Sequence, residues 1–201
     1  MGWFKINHPR RLSDLLQIKI INHMMNITKR LIFMSLLASL ISACAGKQLT
    51  PIATVPQVDL PKFMGDWYVI AAIPTAIETE SYNAIESYKI DDDGTIATTF
   101  TFNKGSLTGP QKKYEPRGFV VKNSGNATWG MQFIWPIKAE YLIAHLDKDY
   151  TQTVIARNAR DYVWIMARTP KISEEDYKKL TTLVNNLGYD MTKLRRVPHN
   201  R

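Results

Sequence analysis

Lys62-Phe63-Met64-Gly65-Asp66-Trp67-Tyr68-Val69-Ile70 sets a glycine two residues ahead of a tryptophan, at the start of an apolar run. Glycine lets a backbone turn tightly or approach a neighbour closely. A tryptophan just beyond it, opening a strand, is placed to plug the end of a small barrel. One such tripeptide arises readily by chance, so its weight depends on its surroundings. Gly65–Ile73 is apolar on both of its faces, which requires something to cover the outer side as well as the inner.

Downstream of Pro61, short alternating or apolar runs recur with turn signals between them, the pattern of an all-β barrel or sandwich. Asn83–Ile90 runs into Asp91-Asp92-Asp93-Gly94, a hairpin turn in which glycine accommodates positive φ. Thr95–Phe102 alternates. Lys112–Lys122 leads to the turn Asn123-Ser124-Gly125-Asn126 and then to Ala127–Trp135. Glu140–Asp147, Thr151–Arg157 and Asp161–Thr169 bring the strands to eight. Eight antiparallel strands close into a barrel that fills itself with side chains or holds one small ligand. The longer segment from Pro74 to Tyr82 is placed to cover one mouth. One helix follows: Ser173-Glu174-Glu175-Asp176 is a capping-box variant, Tyr177, Leu180, Val184 and Leu187 share a face with Leu183 alongside, and Gly188 ends it. The expected fold is all-β, an eight-stranded antiparallel up-and-down barrel with one C-terminal α-helix packed outside.

A net charge of +8 over 201 residues suggests nucleic acid until it is counted by segment. Residues 1–43 carry six Lys/Arg and one Asp, whereas residues 44–201 carry twenty Lys/Arg and seventeen Asp/Glu, so the domain itself is only +3. No nucleic-acid partner is expected. The first segment explains its own charge. Lys29-Arg30 precedes the apolar stretch Leu31–Ile41, and Ile41-Ser42-Ala43-Cys44 follows with small residues, the order of a secretory signal too short for a comfortable membrane span. This ending resembles the lipobox of bacterial lipoproteins, which implies that Cys44 receives a diacylglyceryl group. Cys44 is the only cysteine, so no intramolecular disulfide competes for it. Each buried methylene contributes about 0.8 kcal/mol, and more than one chain anchors stably. The expected organisation is a signal segment over 1–43, a lipidated tether over 44–61 containing Pro51, Pro56 and Pro61, and the barrel with its helix over 62–201.

Two further segments answer the opening tripeptide. Asp149-Tyr150 lies ahead of the seventh strand, and Tyr162-Val163-Trp164-Ile165-Met166-Ala167-Arg168-Thr169-Pro170 ends the eighth with a basic residue. Together with Gly65 and Trp67 they resemble the motifs of a bacterial lipocalin, of the outer-membrane lipoprotein type in the apolipoprotein D-like branch. The resemblance implies that Arg168 lies across the indole of Trp67, a contact worth about 0.5 to 2 kcal/mol. It also implies that Gly65, Trp67, Asp149, Tyr150 and Arg168 are structural, closing the barrel base away from the ligand. Ala45 after Cys44 implies sorting to the outer membrane, on its periplasmic face.

Candidates for the inner wall are Phe100, Tyr114, Phe119, Trp129, Met131, Phe133, Tyr141, Ile143, His145 and Trp164. Aromatics, methionine and a few polar tips suit a long, flexible apolar guest. Tyr114, Tyr141 and an inward-facing His145 are the candidates for a carboxylate or phosphate head group. The resemblance implies fatty acids or lysophospholipids, bound, stored or transported in the envelope. The alternative is a structural or interaction lipoprotein whose barrel is filled by its own Trp129, Phe133, Trp135 and Trp164. A homodimer is compatible with either. Catalysis has no constellation behind it: His145 and His199 are the only histidines left after processing, too far apart in sequence for a metal site, and no nucleophile elbow or phosphate-cradling loop appears.

A signal peptide starting at Met24 or Met25 has ordinary proportions, so residues 1–23 are read as an over-extended start that the cell does not make. Mass spectrometry of the unprocessed precursor is expected to find nothing from that region; a peptide spanning Trp3 to Arg10 overturns the reading.

Overall fold

The computed structural model describes residues 23–25 and 49–200. Residues 23–25 are helical and belong to a unit spanning 1–48; the second unit, from Leu49 on, is the domain. The rest of the signal segment, Cys44 and the first part of the tether lie outside the described residues.

The domain opens with a short helix, α1 (Leu60–Phe63), capped by the Asp59 carboxylate. Nine strand segments follow: β1 (Gly65–Ile73), β2 (Ser81–Ile90), β3 (Ile96–Lys104), β4 (Gln111–Tyr114), β5 (Arg117–Val120), β6 (Thr128–Ile134), β7 (Ile137–Leu146), β8 (Gln152–Ala156) and β9 (Val163–Ala167). Each pairs antiparallel with its neighbours, and β9 returns to β1, Tyr68 opposite Ala167 and Ile73 opposite Val163, so the barrel is closed. The expected fourth strand is present as two pieces, β4 and β5, both paired with β3 and separated by Glu115-Pro116. Proline has no N–H to give the ladder. The Thr98 amide still reaches the Pro116 carbonyl at 3.1 Å, so the break leaves eight barrel positions.

The one long helix among the described residues, α2 (Glu174–Asn186), starts as the capping pattern requires: the Asp176 amide donates to Ser173 Oγ at 3.0 Å, and Ser173 Oγ donates to the Asp176 carboxylate at 2.7 Å. Leu180 and Val184 bury themselves in an outer cluster with Ile70, Ile73, Val154, Val163 and Ile165. That cluster supplies the outer cover that the doubly apolar first strand demanded. After α2 the chain returns as β10 (Arg195–Arg196) on the edge of β1, with Arg196 paired to Glu174 and lying 3.7 Å over the Tyr177 ring.

The base is closed by one side chain. Arg168 donates to the carbonyls of Lys62, Phe63, Met64, Asp66 and Tyr150 at 2.8–3.2 Å, and its guanidinium lies 3.8 Å from the centre of the Trp67 ring. Trp67 in turn donates its indole N–H to the Phe63 carbonyl at 2.8 Å. Gly65 has φ +89°, a conformation that glycine adopts without strain.

The stretch expected as a tether is bound to the barrel from Thr50 onward. Arg160 donates to the Thr50 carbonyl at 2.5 Å, and the Ile52 amide donates to Asn158 at 2.7 Å. The Val55 amide reaches the Ile143 carbonyl, the Val58 amide the Gly125 carbonyl, and the Asp59 amide the Tyr150 hydroxyl. A Cβ on Gly125 would sit 1.9 Å from the Pro56 carbonyl oxygen, so the turn at Gly125 admits the strap only because it has no side chain. Pro51 and Pro56 keep this segment extended; they do not keep it free.

Arg168→Lys replaces a planar fork serving five carbonyls with one ammonium. It is expected to lower unfolding free energy by about 2–4 kcal/mol, given that hydrogen bonds to a charged group contribute about 1.5–3 each and an ammonium still keeps some of them. A urea melt indistinguishable from wild type would refute the role given to Arg168.

Candidate functional site

The barrel interior divides into a filled lower part and an open upper part. Near the base, Phe63, Trp67, Tyr88, Trp129 and Tyr141 interlock, with Trp129 stacked on Tyr141 at 5.1 Å and Phe63 meeting Trp129 edge-on at 5.5 Å. Above them is a cavity of about 420 Å³. Its wall includes Thr98, Phe100, Tyr114, Pro116, Met131, Phe133, Tyr141 and Trp164, and its rim Ala76, Ile77, Ile134, Arg157 and Tyr162. This volume is within the range of about 300–1,000 Å³ usual for small-molecule sites.

Six of the ten expected wall residues come together here: Phe100, Tyr114, Met131, Phe133, Tyr141 and Trp164. Trp129 and Ile143 do point into the barrel, but they belong to the packed lower part. Phe119 faces outward. Its neighbour Gly118 is the inward residue, against Ile96, Met131 and Trp129, and Phe119 carries Lys138 Nζ 3.4 Å from its ring centre. Counting in twos from Tyr114 gives Pro116, Gly118 and Val120, so the aromatic lies on the other parity.

His145 also faces outward, because a bulge between Ile143 and His145 shifts the register. Ile143 pairs with the inward Ile155, while His145 pairs with Val154, a member of the outer cluster. An extra residue in one strand reverses the alternation beyond it. Half-buried there, His145 has its basicity lowered by desolvation, against a smaller opposing pull from Asp147. Of the motif residues near the base, Asp149 is exposed; Asp147 takes the hydrogen bonds of that turn, from Thr151 and Gln152.

Three acidic residues that sequence reasoning missed also line the cavity, Glu78, Glu86 and Glu140, the last of them bonded to Asn158. Glu86 stands on the inner face of β2 between Ala84 and Tyr88. Tyr88 donates to Glu86 Oε2, and the Tyr88 and Tyr141 hydroxyls are 2.7 Å apart. Burial, reinforced by the nearby charge of Glu78, pushes Glu86 up to about 8, so it is neutral through most of the physiological range. Desolvation likewise pushes Tyr141 well above its ordinary value. Glu78, in the loop over the mouth, accepts from the Thr75 amide and hydroxyl at 3.0 and 2.9 Å and from the Trp164 indole at 3.3 Å. Its carboxyl is raised too, by burial first. Alternation gave a signal for Glu86: a residue two places from Ala84 and two from Tyr88 shares their face. Nothing in the loop pattern pointed to Glu78. Among the wall and rim residues the one cation is Arg157, held by Asp161 at 3.2 Å and facing the Tyr162 ring.

Residues 58–199 match the model of the lipocalin-like domain family. Over 158 residues, 73% of this chain and 82% of the relative, the chain is 28% identical to temperature-induced lipocalin-1 of Arabidopsis thaliana. It is 28% identical over 162 residues to the outer membrane lipoprotein Blc of Citrobacter freundii, covering 78% of this chain and 89% of that one. The corresponding protein of Escherichia coli K12 is 27% identical over 161 residues, with 78% and 88% covered. Among solved structures, insecticyanin from Manduca sexta superposes with a TM-score of 0.59 at 15% identity, covering 74% of this chain and 85% of that one. The cockroach allergen Per a 4 gives 0.57 at 16% identity, covering 77% and 97%.

The neutral Glu86 makes a pH prediction. Folding raises its proton affinity above the usual carboxyl range, so its contribution to stability is full below about pH 4.5 and is lost as pH rises through about 8. Between pH 5 and pH 9 wild type is expected to lose roughly 4 kcal/mol more than Glu86→Gln, in which the group no longer titrates. Urea midpoints measured for both proteins across that range check it, and parallel curves would sink it.

Proposed function

The chain belongs to the lipocalin-like family, and on that premise we propose that it is a lipid-anchored lipocalin of the cell envelope that binds fatty acids or lysophospholipids, storing or carrying them. The observation that carries this reading is the open cavity, about 420 Å³ of mainly apolar wall above a floor whose polar groups bond to one another. A barrel filled by its own side chains, the alternative from the sequence, fits this volume poorly: Trp129 is packed below the cavity, Trp164 stands in its wall, and Trp135 points away into solvent.

The distribution of polar groups orients a single-chain lipid. Glu86 is uncharged and satisfied by Tyr88, so the floor accepts the end of an acyl chain. Arg157 at the rim is the cation available to a carboxylate or phosphate, which stays at the mouth where water still reaches it. Tyr141, one of the head-group candidates, is engaged with Tyr88 on the floor and serves the chain end instead. Cys44 supplies the anchor, and the named outer membrane lipoproteins among the relatives support an envelope location. The reading assigns binding and leaves no residue with a catalytic role.

Lysophospholipid titrated into the purified protein is expected to quench tryptophan emission saturably. Ala139→Trp, which places an indole in the cavity wall, is expected to weaken binding at least tenfold while leaving the melting temperature within a few degrees. Arg157→Ala is expected to weaken dodecanoate severalfold and dodecanol hardly at all. Absence of saturable binding for any of these amphiphiles refutes the function. For the anchor, radiolabelled palmitate is expected in the wild-type chain and not in Cys44→Ala.

A further inference from the structure

The strap that binds the outside of the barrel begins at the open end. Thr50 and Ile52 are fixed to Arg160 and Asn158, in the connection between β8 and β9, whose neighbours Arg157 and Tyr162 form the cavity rim. The strap then descends past Ile143 and reaches the base only at Asp59, beside Tyr150. A lipid on Cys44 is thus six residues from a point fixed at the mouth. Six residues span at most about 20 Å, and only when fully extended; a nine-residue strand such as β1 is about 30 Å long and, tilted by about 40° in a barrel, makes a wall about 23 Å tall. The link keeps the anchor within reach of the mouth and does not carry it past the base.

The same end bears the most exposed apolar side chains of the domain. In the β6–β7 hairpin, Trp135 is 82% exposed, Ile134 73% and Ile137 69%, with Ile77 across the opening also exposed. The hairpin rises beyond Glu140, the residue that holds Asn158 and hence the start of the strap. Ile134 and Ile77 also line the cavity, so the exposed rim and the interior wall are continuous. Water-exposed aromatic and branched side chains gathered at one opening mark an interaction surface, and an indole with one apolar and one polar edge suits the boundary of a bilayer.

Resting on the Cys44 anchor proposed above, we propose that the barrel docks mouth-down on the membrane that holds it, with Ile134, Trp135 and Ile137 inserted at the lipid surface and the cavity opening onto it. The chain length outside the strap supplies the orientation, and the hairpin supplies the contact. A lipid then passes from bilayer to cavity along an apolar surface without crossing water.

The test uses the full chain, purified with its lipid, in vesicles of phosphatidylethanolamine and phosphatidylglycerol. Trp135 emission is isolated as the difference between wild type and Trp135→Tyr. Brominated phospholipids are expected to remove most of that difference, and aqueous iodide is expected to quench it at least fivefold less with vesicles than in detergent-free solution. Replacing Trp135 and Ile137 together by serine is expected to slow transfer of a fluorescent lysophospholipid from vesicle to protein at least tenfold, with binding of dodecanoate from solution unchanged. Trp135 that stays open to iodide on vesicles overturns the docking while the anchor and the lipid binding stand. Trp135 shielded from iodide before vesicles are added assigns the hairpin to contact between two copies and likewise overturns it. A chain that fails to float with vesicles overturns the anchor and the docking together.

Discussion

Everything in this domain depends on one guanidinium at the base. A closed barrel must stop up at least one end, and the chain here offers backbone to do so: α1 leaves the carbonyls of Lys62, Phe63 and Met64 pointing toward the axis, and the Tyr150 turn adds another. Carbonyls gathered in one place repel one another and lose water, a cost that grows with burial. Arg168 removes it by donating to all of them at once, and its flat face leaves room for Trp67 to pack beneath. The first strand, the last strand, the entry helix and a distant turn are thereby fixed to a single group. Arg168 and the entry helix it binds are more than a hundred residues apart in sequence, so the contact ties the two ends of the barrel chain together beside the β1–β9 ladder.

Closing the base so firmly allows the upper half to remain empty. A cavity of this size forfeits dispersion contacts along its whole lining, and the aromatic cluster below recovers them locally through Trp129, Tyr141, Tyr88 and Phe63. The boundary between the two halves is a polar layer. Glu86 there would be intolerable as an ion, and burial resolves the conflict by keeping its proton; Tyr88 donates to its carboxyl, and the Tyr141 hydroxyl in turn bonds to that of Tyr88. The floor is consequently polar in composition and nonetheless neutral, which is what an acyl chain end requires.

Strand positions were legible because they follow from local alternation, and the base motif because its residues resemble those of a known family. The contact of Arg168 with the Trp67 ring that the resemblance implied is present. Departures came wherever one residue changed the count. The bulge at Ile143/His145 turns His145 outward although its spacing from Tyr141 and Ile143 puts it inward, and no composition signal marks a bulge in Ile143-Ala144-His145. Phe119 was assigned by chemistry against parity, and parity prevailed because Pro116 and Gly118 hold the inner face. The strap was misread for the opposite reason: prolines and small residues describe an extended chain, but whether an extended chain is solvated or bound depends on the surface it meets. Gly125, whose missing Cβ admits Pro56, is sixty-nine residues away from it and pairs with nothing in the local pattern.

The strap also links two properties that otherwise look independent. A chain could join its barrel at either end, and a strap entering at the base would leave any anchor beside the sealed face. Here the strap is bound from the mouth downward, through Asn158 and Arg160, before α1 turns beneath the base. Asn158 is held by Glu140 on β7, and Arg160 reaches the Leu187 carbonyl at the end of α2, so the fixing point is braced by both the barrel and the helix outside it. The direction in which residues 50–59 run therefore puts the entry of the strap at the open end of the barrel.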